Sequence, residues 1–299
     1  MSRANATAAG TMSANLRGIL WLMAAMPCFQ LMNVMLRHVA ADLPPVEVMF
    51  FRNAFGFIVL LPWLLRGGPR TLRTRQLKAN LLRALCHVGG MVLWVYALTL
   101  LPLATASALM FTSPMFVAVG AVLLMGEPSR WQRWLAVATG FLGALLIIRP
   151  GLESVSPGML VALGAALGLG ASKMLTKVIT RTDSVFSAVF YLNLLMSLIA
   201  LVPALLVWRW PSAEHYGWFV ALAAVGALAH LTMTKAIAAA DLTSLQPFEF
   251  VTLLWAALLG FALFAEVPSL WVFVGGAVII AGATILARDE SRGARPARR

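Results

Sequence analysis

The sequence predicts an all-α integral membrane protein of ten transmembrane helices, arranged as two inverted five-helix repeats. Three observations predict it. First, 61% of the 299 residues are hydrophobic and only 11% are charged, against roughly 25% charged residues in soluble domains. So apolar a surface needs a lipid bilayer around it. Second, the apolar residues fall into ten runs, each near the roughly 20 residues that a spanning helix requires. Third, the second half of the chain repeats the first at a shift of about 139 residues.

In chain order, the runs lie at about 18–36, 46–65, 81–101, 104–125, 132–149, 158–176, 185–207, 216–238, 243–264 and 270–287. Backbone groups in lipid must be satisfied within the segment, so each run reads as a helix. The gaps are short, and several carry Pro or Gly: LPP at 43–45, RGGPR at 66–70, GEPSR at 126–130 and RPG at 149–151. No soluble domain fits between them. Residues 1–17 form a small polar tail, without the short apolar core and cleavage site of a signal peptide. The first repeat is expected over 18–150 and the second over 151–287, followed by a basic tail at 288–299. Cys28 and Cys86 each sit inside an apolar run and read as small buried hydrophobes, not as a disulfide framework.

A formal net charge of +12 raises the question of a nucleic-acid partner, and the placement of the charge argues against one. A DNA binder gathers basic residues on a folded face or an arm. With a cytoplasmic N-terminus, 19 of the 23 Lys and Arg lie on the inner side, and Arg37, Arg149 and Arg209 on the outer. The inner set includes basic residues near span ends, Arg83 and Lys173 among them, and Arg52 alone is assigned to neither side. That bias fits the positive-inside rule with both termini in the cytoplasm, which predicts a multi-pass protein of a bacterial inner membrane.

The repeat is visible residue by residue. ALTLLPLATASALMF (97–111) aligns with AIAAADLTSLQPFEF (236–250), Glu127 falls on Glu266, Gly143 on Gly282 and, at a shift of 140, Asn53 on Asn193. Five spans per half is an odd number, so the halves insert with opposite orientation. Inverted repeats characterise many secondary transporters, whose site lies at the repeat interface near the midplane.

These stretches carry a family resemblance. LRHVAADLPPVEVMFFRN, LLPLATASALMFTSPMF and MGEPSRWQRWLAVATGFLGALLIIRPG in the first half, with DLTSLQPFEF and AEVPSLWVFVGGAVIIAGATIL in the second, resemble EamA domains of the drug/metabolite transporter (DMT) superfamily. The likeness covers about 18–287. VEVMFFR, WVYALTLLPL and WQRW look most like the S-adenosylmethionine uptake branch. The resemblance implies a central cavity lined by helices 1–4 and 6–9, with helices 5 and 10 peripheral. It also implies export or import of a small metabolite without ATP.

The polar residues within the spans are the candidates for a substrate path. Arg52 lies about 9 Å into the second span at 1.5 Å per residue. A charge at a span centre costs at least roughly 2.5–3.5 kcal/mol, so it faces a cavity or a partner. It meets either an anionic substrate group or a structural partner, with Glu47 and Glu249 the candidate acids. Glu249, in SLQPFEFVT, is the one acid well inside a span. Its carboxylate suits a proton carrier or a cation binder, with Gln246 and Thr252 three residues to either side and Pro247 disturbing the helix. Gln30, Asn33 and Arg37 form one polar stripe on the first span, and Asn33 is placed on the path. His87, Gly90 and Trp94 share a face of the third. Trp94 is too deep for an interfacial belt and is expected at the cavity, whereas His87 reads as a packing histidine. His230, mid-span, is the second candidate proton-coupling group. Asn193 and Tyr191 are cavity candidates in the seventh span. Thr112, Ser113 and Pro114 are expected to bend the fourth. Gly164, Gly168, Ala162, Ala166 and Gly170 read as close helix packing.

No HExxH, P-loop, GxSxG or CxxC motif occurs in the sequence, so neither an enzyme, a cofactor, a metal nor ATP coupling is expected. The expected activity is alternating-access transport of a small polar or zwitterionic metabolite, S-adenosylmethionine-like, an amino acid or a related compound. The coupling partner stays open between H+ and an exchange substrate, and the assembly between monomer and homodimer. A non-transporting membrane partner subunit and an intramembrane enzyme are the alternatives. The first predicts buried polar contacts without a cavity. The second predicts clustered acids or histidines at the membrane surface.

Overall fold

A computed structural model describes residues 14–39, 42–100, 109–148, 157–264 and 270–293. They form a short 3-10 helix (Pro69–Leu72) and eleven α-helices: α1 (Ala14–Val39), α2 (Pro45–Gly67), α3 (Leu77–Leu100), α4 (Ser113–Met125), α5 (Trp131–Ile148), α6 (Pro157–Ile179), α7 (Val185–Leu206), α8 (Ala213–Ala239), α9 (Leu242–Glu249), α10 (Thr252–Phe264) and α11 (Leu270–Gly293). No strand occurs among the described residues. Glu266, Arg149 and most of both tails lie outside them.

Six of these segments are long and apolar enough to cross a bilayer: α1, α2, α6, α7, α8 and the run Leu242–Leu259. Ser113–Met125 and Phe273–Ile285 are shorter apolar helices. At 24 and 18 residues, α3 and α5 reach about 36 and 27 Å. Leu65, Leu124 and Leu206 are 79%, 80% and 83% exposed, as side chains facing lipid would be. Trp63, Trp131 and Trp210 are likewise exposed near helix ends, where an interfacial belt belongs. The chain is therefore a multi-pass membrane protein.

The helices pair across the two halves. α1 packs along α8, α3 along α6, α2 along α7 and α5 along α11. Exchanging the halves turns the α1–α8 pair into the α6–α3 pair and maps each of the other two onto itself. The packing thus has a pseudo-two-fold axis. With an odd number of crossings per half, that axis lies in the membrane plane. Glycines set the closest crossings. A Cβ on Gly143 of α5 would sit 2.7 Å from the Gly275 carbonyl oxygen of α11, and one on Gly282 would run into Thr139. A Cβ on Gly168 of α6 would meet the Cys86 carbonyl oxygen of α3 at 3.1 Å.

The ninth predicted span is two helices. α9 ends at Glu249, Phe250 and Val251 turn, and α10 starts at Thr252. The same interruption falls at the repeat-equivalent place in the first half, where Phe111 and Thr112 turn before Ser113. Bonds to the third residue back cross both turns: Thr112 N–H to Leu109 O at 3.0 Å and Val251 N–H to Phe248 O at 3.1 Å. Pro114, which lacks an N–H, explains the first break. Its repeat counterpart is Leu253, so no proline explains the second. Phe111 and Phe250 occupy matching positions and stack with centroids 5.6 Å apart, so the broken helices meet on the pseudo-two-fold axis.

Charged groups tie one end of the bundle. The Glu127 carboxylate accepts the Leu242 and Thr243 N–H groups at 2.8 and 3.0 Å and the Thr243 hydroxyl at 3.0 Å. It thereby satisfies orphan donors at the α9 N-terminus. Beside it, Arg133 of α5 pairs with Asp241 at 3.0 Å, and the Asp241 N–H donates to Asn15 of α1 at 3.0 Å. Lys177 of α6 donates to the last carbonyls of α8, at Ile237 and Ala240.

Candidate functional site

Between the halves lies a cavity of about 370 Å³. Its walls come from α1–α4 and α6–α10. Among the described residues, the peripheral pair α5–α11 contributes nothing to the lining, as expected for spans 5 and 10. Each broken helix presents the residue before its break to the cavity: Met110 in the first half and Glu249 in the second. One end of the cavity abuts the charged network, since Thr176 and Ile237 line it and Lys177 bonds just beyond.

Arg52, seven residues past the start of α2, is buried, and its Nη2 lies 3.3 Å from His230 Nε2. Arginine has no acceptor, so the guanidinium donates and Nε2 accepts, which puts the imidazole proton on Nδ1. The edge of Phe29 closes on the same imidazole at 5.2 Å. His87 faces His230 with ring centroids 6.3 Å apart, and its Nδ1 lies 3.3 Å from the Ser172 hydroxyl. Glu249 is ion-paired with Lys173 of α6. Gln30 donates to the Thr252 hydroxyl at 2.6 Å, and the Asn33 amide donates to Gln30 Oε1 at 3.4 Å. Methionines fill much of the remaining wall, including Met26, Met32, Met91 and Met233. Their flexible, polarisable side chains adapt to a ligand's shape.

Of the residues expected on the path, Asn33, Arg52, His230 and Glu249 line the cavity. Neither acid considered for Arg52 is its partner. Glu249 belongs to Lys173, and the Glu47 Oε2 accepts the Arg209 N–H at 3.1 Å. Trp94, Asn193 and Gln246 stand elsewhere. Trp94 packs with Ala97, Met159 and Ala162. The cavity stripe of α3 is Arg83, His87 and Met91, spaced by four residues. Gly90 lies on the neighbouring face, where a Cβ would come within 3.0 Å of Leu169 N; the Gly90–Trp94 face therefore belongs to the α3–α6 crossing. The Asn193 amide donates to its own helix at Val189 O, 3.0 Å away, and a Cβ on Gly56 would reach its Oδ1 at 2.5 Å. It serves the α2–α7 crossing. Gln246 donates back to Leu242 O at 3.2 Å and is buried. A step of three residues falls about 60° short of a full turn, which carries Gln246 off the wall that Glu249 faces. Tyr191 does not line the cavity either, whereas His87 does. The side chain of Arg37 lies outside the described residues.

Arg83 and Lys173 line the cavity without having been expected there. The positive-inside count took both as loop charges. Their positions inside the predicted spans 81–101 and 158–176 are the signal that would have found them.

A cavity on the pseudo-two-fold axis of an inverted repeat, largely apolar but carrying a few charged side chains and walled by two broken helices, is the architecture of many secondary transporters. The chain belongs to the EamA-like transporter family, whose model matches residues 16–149 and again 156–288. It is 30% identical to the S-adenosylmethionine uptake transporter of Rickettsia prowazekii, over 90% of this chain and 92% of that protein. It is 32% identical to the riboflavin transporter of Vibrio cholerae, over 94% of this chain and 96% of that protein. With the riboflavin transporter of Brucella anthropi it shares 34% identity, over 85% of this chain and 92% of that protein. A solved crystal structure superposes with a TM-score of 0.79 at 18% identity, covering 93% of this chain and 99% of its own; that likeness shows the fold. The chain is a small-metabolite transporter of the DMT superfamily.

Proposed function

We propose that this chain moves a polar or zwitterionic metabolite by alternating access of the central cavity, without ATP, across a bacterial inner membrane with both termini in the cytoplasm. The observation that carries this reading is the cavity itself. It holds charged and hydrogen-bonding groups at the junction of two halves that can exchange conformations. A partner subunit would fill that volume with packed side chains. S-adenosylmethionine-like compounds are the favoured substrates, since a carboxylate and a cationic group match walls that carry both signs of charge. Asn33, Arg52, His230 and Glu249 contact the substrate, whereas Trp94, Asn193 and Gln246 hold the helices that carry them. Glu249 and His230 remain the groups through which a proton would couple, with exchange of a second metabolite as the other mode.

Thiol accessibility from each side tests the alternating exposure. A single cysteine replaces Asn33 in a chain carrying Cys28→Ala and Cys86→Ala. Right-side-out and inside-out vesicles then receive a membrane-impermeant thiol reagent. Labelling from both sides is expected, each slowed by substrate. Labelling from neither side would contradict the proposal.

A further inference from the structure

Among the described residues, the cavity wall carries three basic side chains, Arg52, Arg83 and Lys173, against one acid, Glu249. The Lys173–Glu249 pair is internally neutral, so two guanidinium charges remain. Both are withdrawn from water, Arg52 at 7% exposure and Arg83 at 4%. Neither has a carboxylate within ion-pair reach among the described residues. The Arg52 Nη2 meets only the uncharged edge of His230. Arg83 donates Nη1 to the Ala188 carbonyl at 2.9 Å, while its Nε is buried with no partner. Each guanidinium offers five N–H donors, so most of this donor capacity is unspent. The Ser113 hydroxyl at the start of α4 also lines the cavity and is buried without a partner.

The two cations share one wall. Arg83 and His87 are one turn apart on α3, the His87 ring faces His230, and His230 touches Arg52. Buried charge without a counter-charge is strongly unfavourable. Two such charges flanking one cavity persist most simply where a ligand brings the missing anion. Guanidinium is the group best shaped for this, since its planar fork matches carboxylate and phosphate oxygens two at a time.

We infer that Arg52 and Arg83 together form an anion subsite, and that the transported metabolite carries a carboxylate or phosphate group that docks between them. This rests on the transporter reading of the same cavity and names the chemistry of its cargo. A neutral metabolite would leave both guanidinium groups uncompensated and is the disfavoured substrate.

The test is thermal unfolding of the full-length protein in detergent at constant ionic strength. The probes are S-adenosylmethionine, its carboxyl methyl ester, riboflavin, riboflavin 5′-phosphate and inorganic phosphate. At about a hundred-fold excess over Kd, an anionic probe is expected to raise Tm by roughly 5 °C. The ester and riboflavin are expected to bind at least about ten-fold more weakly than their anionic partners. The S-adenosylmethionine and riboflavin pairs separate a carboxylate from a phosphate preference. Arg83→Met is expected to unfold no earlier than the wild type without ligand, and to lose the anion-dependent shift. Arg83→Lys, which keeps the charge but not the fork, is expected to retain a reduced shift and covers the case of a poorly folding Arg83→Met. The inference is overturned if no anionic probe raises Tm above the ionic-strength control, or if Arg83→Met and Arg83→Lys both leave the shift intact. Counterflow of neutral riboflavin that survives Arg83→Met would end the subsite and leave the transporter. Anion binding without any counterflow would do the reverse.

Discussion

Arg52 is an arginine in a segment otherwise fit for lipid, and its surroundings explain why it is tolerated. It faces the central cavity, which it shares with Arg83, Lys173 and Glu249, and donates to a neutral imidazole. The Lys173–Glu249 pair beside it is a different kind of interaction, a partly exposed pair with side chains 25% and 13% accessible. Breaking a buried pair by removing one partner costs about 3–5 kcal/mol; water in the cavity should bring the cost of Glu249→Ala to about 1–3 kcal/mol. The exchanged double variant Lys173→Glu, Glu249→Lys should recover most of that loss in chemical unfolding. Equal destabilisation of the single and double variants would show that the pair is not coupled. At this scale the sequence was partly legible. Arg52, Glu249, His230 and Asn33 stood out as lone polar residues in apolar runs. Arg83 and Lys173 were hidden because each lies within a turn or two of a helix end, where basic residues ordinarily signal topology. Trp94 misled because depth along a helix says nothing about which side the ring faces. That rotation is decided by Gly90, where α6 comes closest.

Among the elements, two contacts make sharp predictions. Gly143 lies where α5 meets α11, and a Cβ there would press on the Gly275 backbone oxygen. Backbone cannot step aside as a side chain can, so Gly143→Ala should separate the two helices and destabilise by about 1–3 kcal/mol. Because α5 and α11 do not reach the cavity, substrate affinity in the folded fraction should be unchanged. A variant that binds more weakly while fully folded would contradict the peripheral role. Glu127 reaches from the first half to cap α9 in the second. Glu127→Ala strips three hydrogen bonds from that helix start and should cost about 1–3 kcal/mol, with hydrogen exchange rising first at Leu242 and Thr243. Unchanged exchange there would refute the capping role. Helix number and order were readable from apolar run length, because lipid imposes that length on every span. The position of the break within the ninth span was not, since Pro247 lies three residues before it and Leu253 occupies the place that proline holds in the first half.

For the whole molecule, the repeat governs the design. Four cross-half helix pairs map onto one another under exchange of the halves, and the stacked Phe111 and Phe250 mark the axis. The charges break that symmetry. Arg52 has Leu192 as its counterpart and Glu249 has Met110, and all four line the cavity. A symmetric scaffold thus supplies two related conformations, while asymmetric side chains supply a site for an asymmetric ligand. The most direct test is counterflow in proteoliposomes. They are loaded with S-adenosylmethionine, S-adenosylhomocysteine, amino acids and riboflavin, and exchange is followed by mass spectrometry for wild type and Arg52→Ala. The account predicts exchange of one chemical class by the wild type, reduced at least about ten-fold by a substitution that removes a charged contact. Exchange of that class at an undiminished rate by folded Arg52→Ala would contradict the assignment of the substrate path to this cavity wall.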